Sequence, residues 1–104
     1  MNYAGFELPK DEVAKFCQRW KITEFALFGS VLRDDFGPAS DLDVLVTFAP
    51  DANWSLLDHA DMQDELRQML RREVDLISRR GIEQSGNPIR RKAILDSARV
   101  IYAA

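Results

Sequence analysis

Two aspartates, Asp41 and Asp43, open an apolar run that extends to Phe48. On a strand, residues two positions apart point to the same face, so the two carboxylates would project side by side. Aspartate is depleted in strands, and such a conflict with local preference is expected at functional sites. Neighbouring carboxylates repel each other unless a cation lies between them or one of them takes up a proton. Mg²⁺ commonly binds through one or two carboxylates and substrate phosphates, so the pair predicts a divalent metal site.

Asp75 is a third candidate carboxylate, within the short apolar run from Glu73 to Ser78. If this run forms a strand beside Asp43, Asp75 can point into the same cluster. Three carboxylates could hold two ions about 3.5–4 Å apart, which stabilises the attacking and leaving oxygens in phosphoryl or nucleotidyl transfer. Alternatively, Asp75 could accept the proton of an attacking hydroxyl group, and the residues leave both roles open.

Gly29, Ser30 and Arg33 together predict a phosphate-binding turn. Gly29 ends an apolar segment, where a glycine lets the backbone approach a ligand closely. Ser30 at a helix start would offer its hydroxyl beside backbone N–H groups, a geometry that favours phosphate. Arg33 would follow one turn later and add a cation, although a lone surface arginine on a short helix is equally common. Combined with the aspartates, this turn predicts a site for a nucleotide and a divalent metal.

Alternating helix and strand signals surround these residues. Helices are predicted where apolar residues recur at helical spacing, and strands where short apolar runs end in turn residues. The predicted helices are 9–20, 30–35, 55–72 and 88–103, and the predicted strands are 22–28, 41–48 and 73–78. Turns or loops are predicted at 36–40 and 49–53, and a loop or a single helical turn is predicted at 81–87. This order predicts an α/β (α+β) fold with a small mixed sheet of three or more strands flanked by helices.

The bulk composition fits one globular domain over residues 1–104, with 46% hydrophobic and 30% charged residues. The formal net charge of -3 gives no electrostatic case for gripping a nucleic-acid backbone. One cysteine, Cys17, excludes an intrachain disulfide and is expected in the core. No segment approaches the roughly 20 apolar residues that span a bilayer. We therefore expect a cytoplasmic protein without direct nucleic-acid or membrane contacts.

Other kinds of site find less support in the sequence. His59 lies near Asp58 and Asp61, but these spacings do not bring three metal ligands onto one helical face. The sequence contains neither a P-loop nor a dinucleotide-binding motif, and it lacks the nucleophile elbow of a Ser-His-Asp hydrolase. Trp20 and Trp54 are expected in the core or at a partner contact.

The combined motif resembles the nucleotidyltransferase superfamily of the DNA polymerase β type and, more narrowly, the minimal nucleotidyltransferase (MNT) domains. That family's pattern is Gly-Ser, ten residues, then Asp-x-Asp, which Gly29-Ser30 and Asp41-Leu42-Asp43 match without a gap. Arg33 and Asp75 also occupy positions where the family often has these residue types. Asp34 departs from the pattern, because a glycine commonly follows that arginine. The resemblance extends over nearly the whole chain.

The resemblance implies an activity and a partner. Such small proteins are typically the antitoxins of two-gene modules, paired with a helical HEPN ribonuclease toxin, and they transfer AMP from ATP to a tyrosine of that toxin. The implied activity is that of a protein adenylyltransferase dependent on Mg²⁺ and ATP. The implied catalytic and metal-binding residues are Asp41, Asp43 and Asp75, and the implied nucleotide-binding residues are Gly29, Ser30 and Arg33.

Two rival functions stay open. A binding module could neutralise the partner by docking alone, with an acidic surface covering a basic ribonuclease face. Transfer to a small molecule such as an aminoglycoside is the weaker rival, because enzymes of that type normally carry an extra domain for the acceptor. The sequence also leaves the nucleotide preference, the number of metal ions and the oligomeric state open.

Overall fold

The computed structural model describes residues 2–3, 6–29 and 41–104. The elements, in chain order, are β1 (Asn2–Tyr3), β2 (Phe6–Glu7), α1 (Lys10–Arg19), β3 (Ile22–Phe28), β4 (Leu42–Phe48), α2 (Leu56–Leu70), β5 (Val74–Ser78), α3 (Arg79–Glu83), α4 (Pro88–Ser97) and β6 (Arg99–Ala103). β1 and β2 form a separate antiparallel pair. None of the helices in the described ranges combines the length and apolarity that a membrane crossing needs.

A four-stranded mixed sheet in the order β5-β4-β3-β6 forms the centre of the fold. β3 is antiparallel to both of its neighbours, whereas β4 and β5 run parallel. A parallel pair needs a crossover connection, and α2 supplies it. The register places the end of β3 beside the starts of β4 and β5. We call this the carboxylate end, at Phe28, Asp43 and Asp75, and we call the opposite end, at Phe48 and Ser78, the distal end.

Apolar side chains pack against both faces of this sheet. The larger core lies on the face covered by α1 and α2 and includes Phe16, Val44 and Met62. The smaller core joins Leu45 to Ile94 on the face covered by α3 and α4. Successive residues of β4 therefore enter different cores, which explains why its sequence is a nearly continuous apolar run.

The starts of α2 and α4 carry side-chain caps. The Ser55 hydroxyl accepts the Asp58 N–H of α2 at 3.2 Å, and the Asp58 carboxylate accepts the Ser55 N–H at 2.9 Å, which together form a capping box. The Asn87 side chain accepts the Arg90 N–H of α4 at 3.1 Å, and Pro88 occupies the first turn. These caps fix where α2 and α4 begin.

Two side chains of α2 cover the outer edge of β5. The side-chain oxygen of Gln63 accepts the Leu76 N–H at 3.1 Å, and Nε2 of His59 lies 2.9 Å from the Leu76 carbonyl oxygen. Both backbone groups of Leu76 are therefore paired, although β5 is an edge strand. This contact gives His59 a structural role.

Most of the predicted elements are confirmed within two residues. The predicted strand 22–28 coincides with β3, and the predicted helices 9–20 and 55–72 correspond to α1 and α2. The predicted strands 41–48 and 73–78 each begin one residue before β4 and β5. Cys17, Trp20 and Trp54 belong to or pack against the larger core, as expected. The predicted helix 30–35 and turn 36–40 lie outside the described residues.

The predicted helix 88–103 is wrong in its second half, because α4 ends at Ser97 and the chain continues as β6 along β3. Val100, Ile101 and Tyr102 are β-branched or aromatic residues that favour strands. Pairing with β6 also satisfies the second edge of β3, whose backbone is otherwise buried between two cores. Ile94 is buried as predicted, whereas Ile101 reaches the larger core from a strand.

Two short elements complete the comparison with the predictions. The segment 81–87, predicted as a loop or a single helical turn, begins with the last residues of α3, so its first part is helical. The β1–β2 pair was not predicted, because two-residue strands have no periodicity for a sequence pattern to reveal.

Candidate active site

The sheet brings Asp43 and Asp75 side by side. Each is the second residue of its strand, and the parallel register of β4 and β5 pairs them directly. Neighbouring strands lie about 4.8 Å apart, and paired residues point to the same face. A hydrogen bond of 2.9 Å from the Leu42 N–H to the Glu73 carbonyl oxygen joins the starts of the two strands. The strand of Asp75 is therefore the neighbour of the strand of Asp43, which is the condition under which the sequence placed Asp75 in the cluster.

The carboxylates point to the face of the smaller core. Asp43 alternates with Val44, which faces the larger core, and shares its face with Leu45. Asp43 is half-buried, whereas Asp75 is exposed, so a ligand can reach the pair from solvent. Asp41 is exposed and immediately precedes β4.

Gly29 directly follows β3 and lies against the Asp43 carboxylate. Its φ angle is +72°, in the left-handed region that glycine adopts at little cost. A Cβ atom at this position would overlap one carboxylate oxygen of Asp43 and would lie 3.2 Å from its Cγ atom. The backbone and the carboxylate can approach this closely because residue 29 has no side chain.

The donor set matches a hard divalent cation. Carboxylate oxygens are ligands that Mg²⁺ prefers, and this ion takes its remaining ligands from water and substrate phosphates. Within the described ranges, no three acidic, histidine or cysteine side chains come together as a ready-made metal site. The paired carboxylates of Asp43 and Asp75 are therefore the part of the predicted metal site that the strand register brings together.

The other half of the predicted nucleotide site falls on Ser30 and Arg33, which lie outside the described residues. Gly29, the described member of the predicted phosphate-binding turn, lies at the carboxylate end of the sheet. The turn glycine and the paired carboxylates therefore meet at one place, although they come from three different strands. The nucleotide-binding roles of the three turn residues stay predictions.

A cleft of about 380 Å³ opens at the distal end of the sheet, away from the carboxylates. Its lining includes Phe48, Trp54, His59 and Arg79. Trp54 packs edge-to-face against Trp20 with ring centroids 5.2 Å apart, and its Nε1–H donates to the Trp20 carbonyl oxygen at 2.8 Å. No sequence motif predicts this cleft, because its walls come from separate segments of the chain.

Comparison with known families agrees with this geometry. The model of the nucleotidyltransferase domain family matches residues 11–101. One relative from Methanocaldococcus jannaschii, named as a protein adenylyltransferase, is 32% identical over 76 residues, which is 73% of each chain. A second protein of that name from the same organism is 31% identical over 77 residues, which is 74% of each chain.

Solved structures share the fold. The structure of a minimal nucleotidyltransferase aligns with a TM-score of 0.66 at 34% identity, covering 86% of both chains. A toxin–antitoxin complex with AMP-PNP aligns with a TM-score of 0.72 at 18% identity, and the alignment covers 93% of this chain and 75% of that chain. A complex of tri-AMPylated Shewanella oneidensis HEPN toxin with MNT antitoxin aligns with a TM-score of 0.63 at 18% identity, and the alignment covers 91% of this chain and 70% of that chain. The chain therefore belongs to the nucleotidyltransferase domain family and resembles its minimal members.

Proposed function

We propose that this chain transfers AMP from ATP to a hydroxyl group of a partner protein in an Mg²⁺-dependent reaction. The observation on which this rests is the pairing of Asp43 with Asp75, with Gly29 packed against the Asp43 carboxylate. Membership of the nucleotidyltransferase family supports the class of reaction. Relatives named as protein adenylyltransferases support AMP as the group transferred and a protein as the acceptor.

In this proposal the site has a metal-binding half and a phosphate-binding half. Bound Mg²⁺ would neutralise charge on the phosphates and on the oxygens that change partners. Asp75 is either a metal ligand or the base that accepts the acceptor's proton. The proposed metal-binding residues are Asp41, Asp43 and Asp75, and the proposed triphosphate-binding residues are Gly29, Ser30 and Arg33.

The proposed reaction is a displacement at phosphorus. The acceptor hydroxyl oxygen forms a bond to the α-phosphorus of ATP, and the bond from that phosphorus to the bridging oxygen breaks. Pyrophosphate leaves with the electron pair of the broken bond, and the hydroxyl proton passes to a base. The exposed position of Asp75 at the carboxylate end makes it accessible to an incoming hydroxyl group.

We propose a tyrosine of a HEPN-type ribonuclease toxin as the acceptor, so that the chain would act as an antitoxin. The supporting observation is that similar folds occur in an AMP-PNP complex of a toxin–antitoxin pair and in a complex with a tri-AMPylated HEPN toxin. Adenylylation would silence the toxin. The alternative is neutralisation by docking alone, without transfer.

The test uses ATP labelled at the α-phosphate, MgCl₂ and a HEPN-type ribonuclease from the same genome. We expect the label on a tyrosine of the ribonuclease, and we expect EDTA to abolish it. Asp43→Asn together with Asp75→Asn should also abolish transfer, whereas Asp11→Asn together with Asp96→Asn, which removes two exposed carboxylates outside the pair, should not. Equal labelling by the site variant would overturn the proposal. Full toxin neutralisation by a site variant that transfers no label would favour docking alone.

A further inference from the structure

Three exposed apolar residues form a patch at the start of α2. Leu56 and Leu57 are 85% and 78% exposed, and Ala60 is exposed as well. Ala60 lies four positions after Leu56 and three positions after Leu57, so its side chain is next to both leucine side chains on the helix surface. We call these three residues the leucine patch. Single apolar residues scattered over a protein surface are ordinary, whereas a contiguous apolar surface marks an interaction site.

Folding does not require the leucine patch. The inner face of α2 is formed by Met62, Leu66 and Leu70, which are buried in the larger core. The start of the helix is fixed by the capping box of Ser55 and Asp58. The two leucines therefore occupy positions where polar residues would serve the fold equally well.

The surroundings of the leucine patch are acidic. Residues 51–65 include five acidic residues and no lysine or arginine. Two of the five are paired with cations from elsewhere in the chain, whereas Asp58, Asp61 and Asp64 form no ion pair with any described cation. Asp61 and Asp64 follow Leu57 by four and seven positions and so share its side of the helix. A ligand of this surface needs positive charge beside its apolar groups.

The patch lies at the distal end of the sheet and adjoins the cleft there. Ser55, which immediately precedes Leu56, lines that cleft. Arg79 and Arg80 also line it, so the cationic groups of a ligand would face the acidic side of α2 rather than the cleft. Asp43 is five residues from Phe48 along β4, which is roughly 17 Å at about 3.3 Å per residue. A molecule bound at the patch would therefore leave the carboxylates accessible.

We propose that the leucine patch docks a cationic amphipathic segment of the acceptor protein. Apolar side chains of that segment would cover Leu56 and Leu57, and its lysine or arginine side chains would face Asp61 and Asp64. Complementary charge raises the association rate and excludes other partners. The identity of the docked protein rests on the proposed function, whereas the chemistry of the surface does not.

The binding test uses titration calorimetry to compare a double variant of the leucine patch and a control variant in their affinity for the HEPN-type ribonuclease. Leu56→Asp together with Leu57→Asp should raise the Kd by about 30-fold or more, the loss typical of a hot spot. Ile89→Asp is the matched control, because Ile89 is 83% exposed on α4, and it should change the Kd by less than about twofold. Far-ultraviolet circular dichroism and thermal melting would show that both variants fold.

Charge and catalysis give two further readouts. Asp61→Asn together with Asp64→Asn should lower the association rate and weaken its dependence on salt. In the transfer reaction, the leucine variant should raise the KM for the acceptor and leave kcat unchanged at saturating acceptor, because it removes binding far from the reacting atoms. Stabilisation of the variant by Mg²⁺ and ATP should equal that of the parent protein.

The outcomes separate this inference from the proposed function. If no label is transferred but the leucine variant still loses binding, the docking surface stands and the proposed activity fails. Unchanged binding by the leucine variant, or a loss caused by Ile89→Asp instead, would overturn the docking surface while leaving the activity intact. Self-association that the leucine variant abolishes, with acceptor binding unchanged, would assign the patch to a second copy of this chain and would overturn the inference.

Discussion

At the residue scale, the close contact between Gly29 and the Asp43 carboxylate restricts which side chains either position can accept. Gly29→Ala would place a methyl group against the Asp43 carboxylate at a left-handed φ of +72°. We expect this variant to lose about 1–2 kcal/mol of stability and to lose transfer activity, because the carboxylate must move. Urea denaturation and the labelled-ATP assay measure the two effects. Gly86→Ala is the control, since no atom lies within 4 Å of its added Cβ. Equal losses in both variants would contradict the expectation.

Asp43 and Asp75 place like charges on directly paired strand positions. Like charges opposite each other destabilise a strand pair, so Asp75→Asn should stabilise the metal-free protein by a few tenths of a kcal/mol. The same change should reduce the stabilisation that MgCl₂ gives the parent protein. Thermal melts with MgCl₂ and with EDTA check both effects, and Asp96→Asn on α4 should leave the response to MgCl₂ intact. A less stable metal-free variant that keeps the full response to MgCl₂ would refute this expectation.

Burial raises the pKa of the Cys17 thiol to about 12 from its ordinary value of 9.0. Because the folded protein favours the neutral thiol, this stabilisation is complete below pH 9 and is lost as the pH rises towards 12. Measured as the free energy of unfolding against pH, the parent protein should lose more stability over this range than Cys17→Ala. Parallel curves for the two proteins would argue against a buried, neutral thiol.

The sequence predicted the carboxylates but not their immediate surroundings. Asp41, Asp43 and Asp75 could be chosen as candidates because aspartates at the starts of apolar runs conflict with strand preference, and the strand register pairs two of them, Asp43 and Asp75. The approach of Gly29 to Asp43 depends on the register of β3 and β4, which is a long-range property. No local pattern could therefore predict that contact.

At the element scale, the capping box determines where α2 begins and hence how the leucine patch is presented. Ser55→Ala removes the hydroxyl that accepts the Asp58 N–H, and we expect a loss of about 1 kcal/mol. Chemical denaturation of this variant gives the value. Asn87→Ala removes the corresponding cap of α4 and should cost a similar amount, whereas the exposed Ser97→Ala should cost less. A Ser55 variant as stable as the parent would show that the cap is dispensable.

β3 and β6 mark where sequence patterns were sufficient and where they failed. β3 is a continuous apolar run that ends at a glycine, so local preference and burial agree. β6 follows a capped helix whose apolar residues continue at helical spacing, which led to a prediction of one long helix. The β-branched and aromatic residues of β6 favour a strand, but the need of β3 for a partner on its second edge is a long-range requirement that the local sequence does not contain.

At the scale of the whole molecule, ligand binding should couple to stability. A ligand that binds only the folded protein adds about 2.7 kcal/mol at 100 times its Kd. For a domain of this size, that corresponds to a rise in Tm of roughly 10 °C or more. Differential scanning fluorimetry with Mg²⁺ and ATP should show this rise, and EDTA should largely reverse it. A Tm that does not respond to ATP and Mg²⁺ together would contradict a nucleotide site at the carboxylate end.

The net charge of -3 conceals an uneven distribution. Residues 79–104 contain six basic and two acidic residues, whereas residues 51–65 contain five acidic residues and no lysine or arginine. A negative net charge can accompany a basic region, and here the charge is polarised between residues 51–65 and the α3–α4 region. A partner would therefore be oriented by the field of the protein as well as by direct contacts.

The pairing of Leu76 with His59 and Gln63 has a consequence for how copies of this protein could aggregate. With both backbone groups of Leu76 occupied, β5 offers an incoming strand a poor template. The Leu76 amide should then exchange its hydrogen for deuterium as slowly as amides in the middle of the sheet. At the other margin, no described strand pairs with the outer edge of β6. Misassembly by strand addition, in a mutant or at high concentration, should therefore proceed from β6 and leave β5 protected.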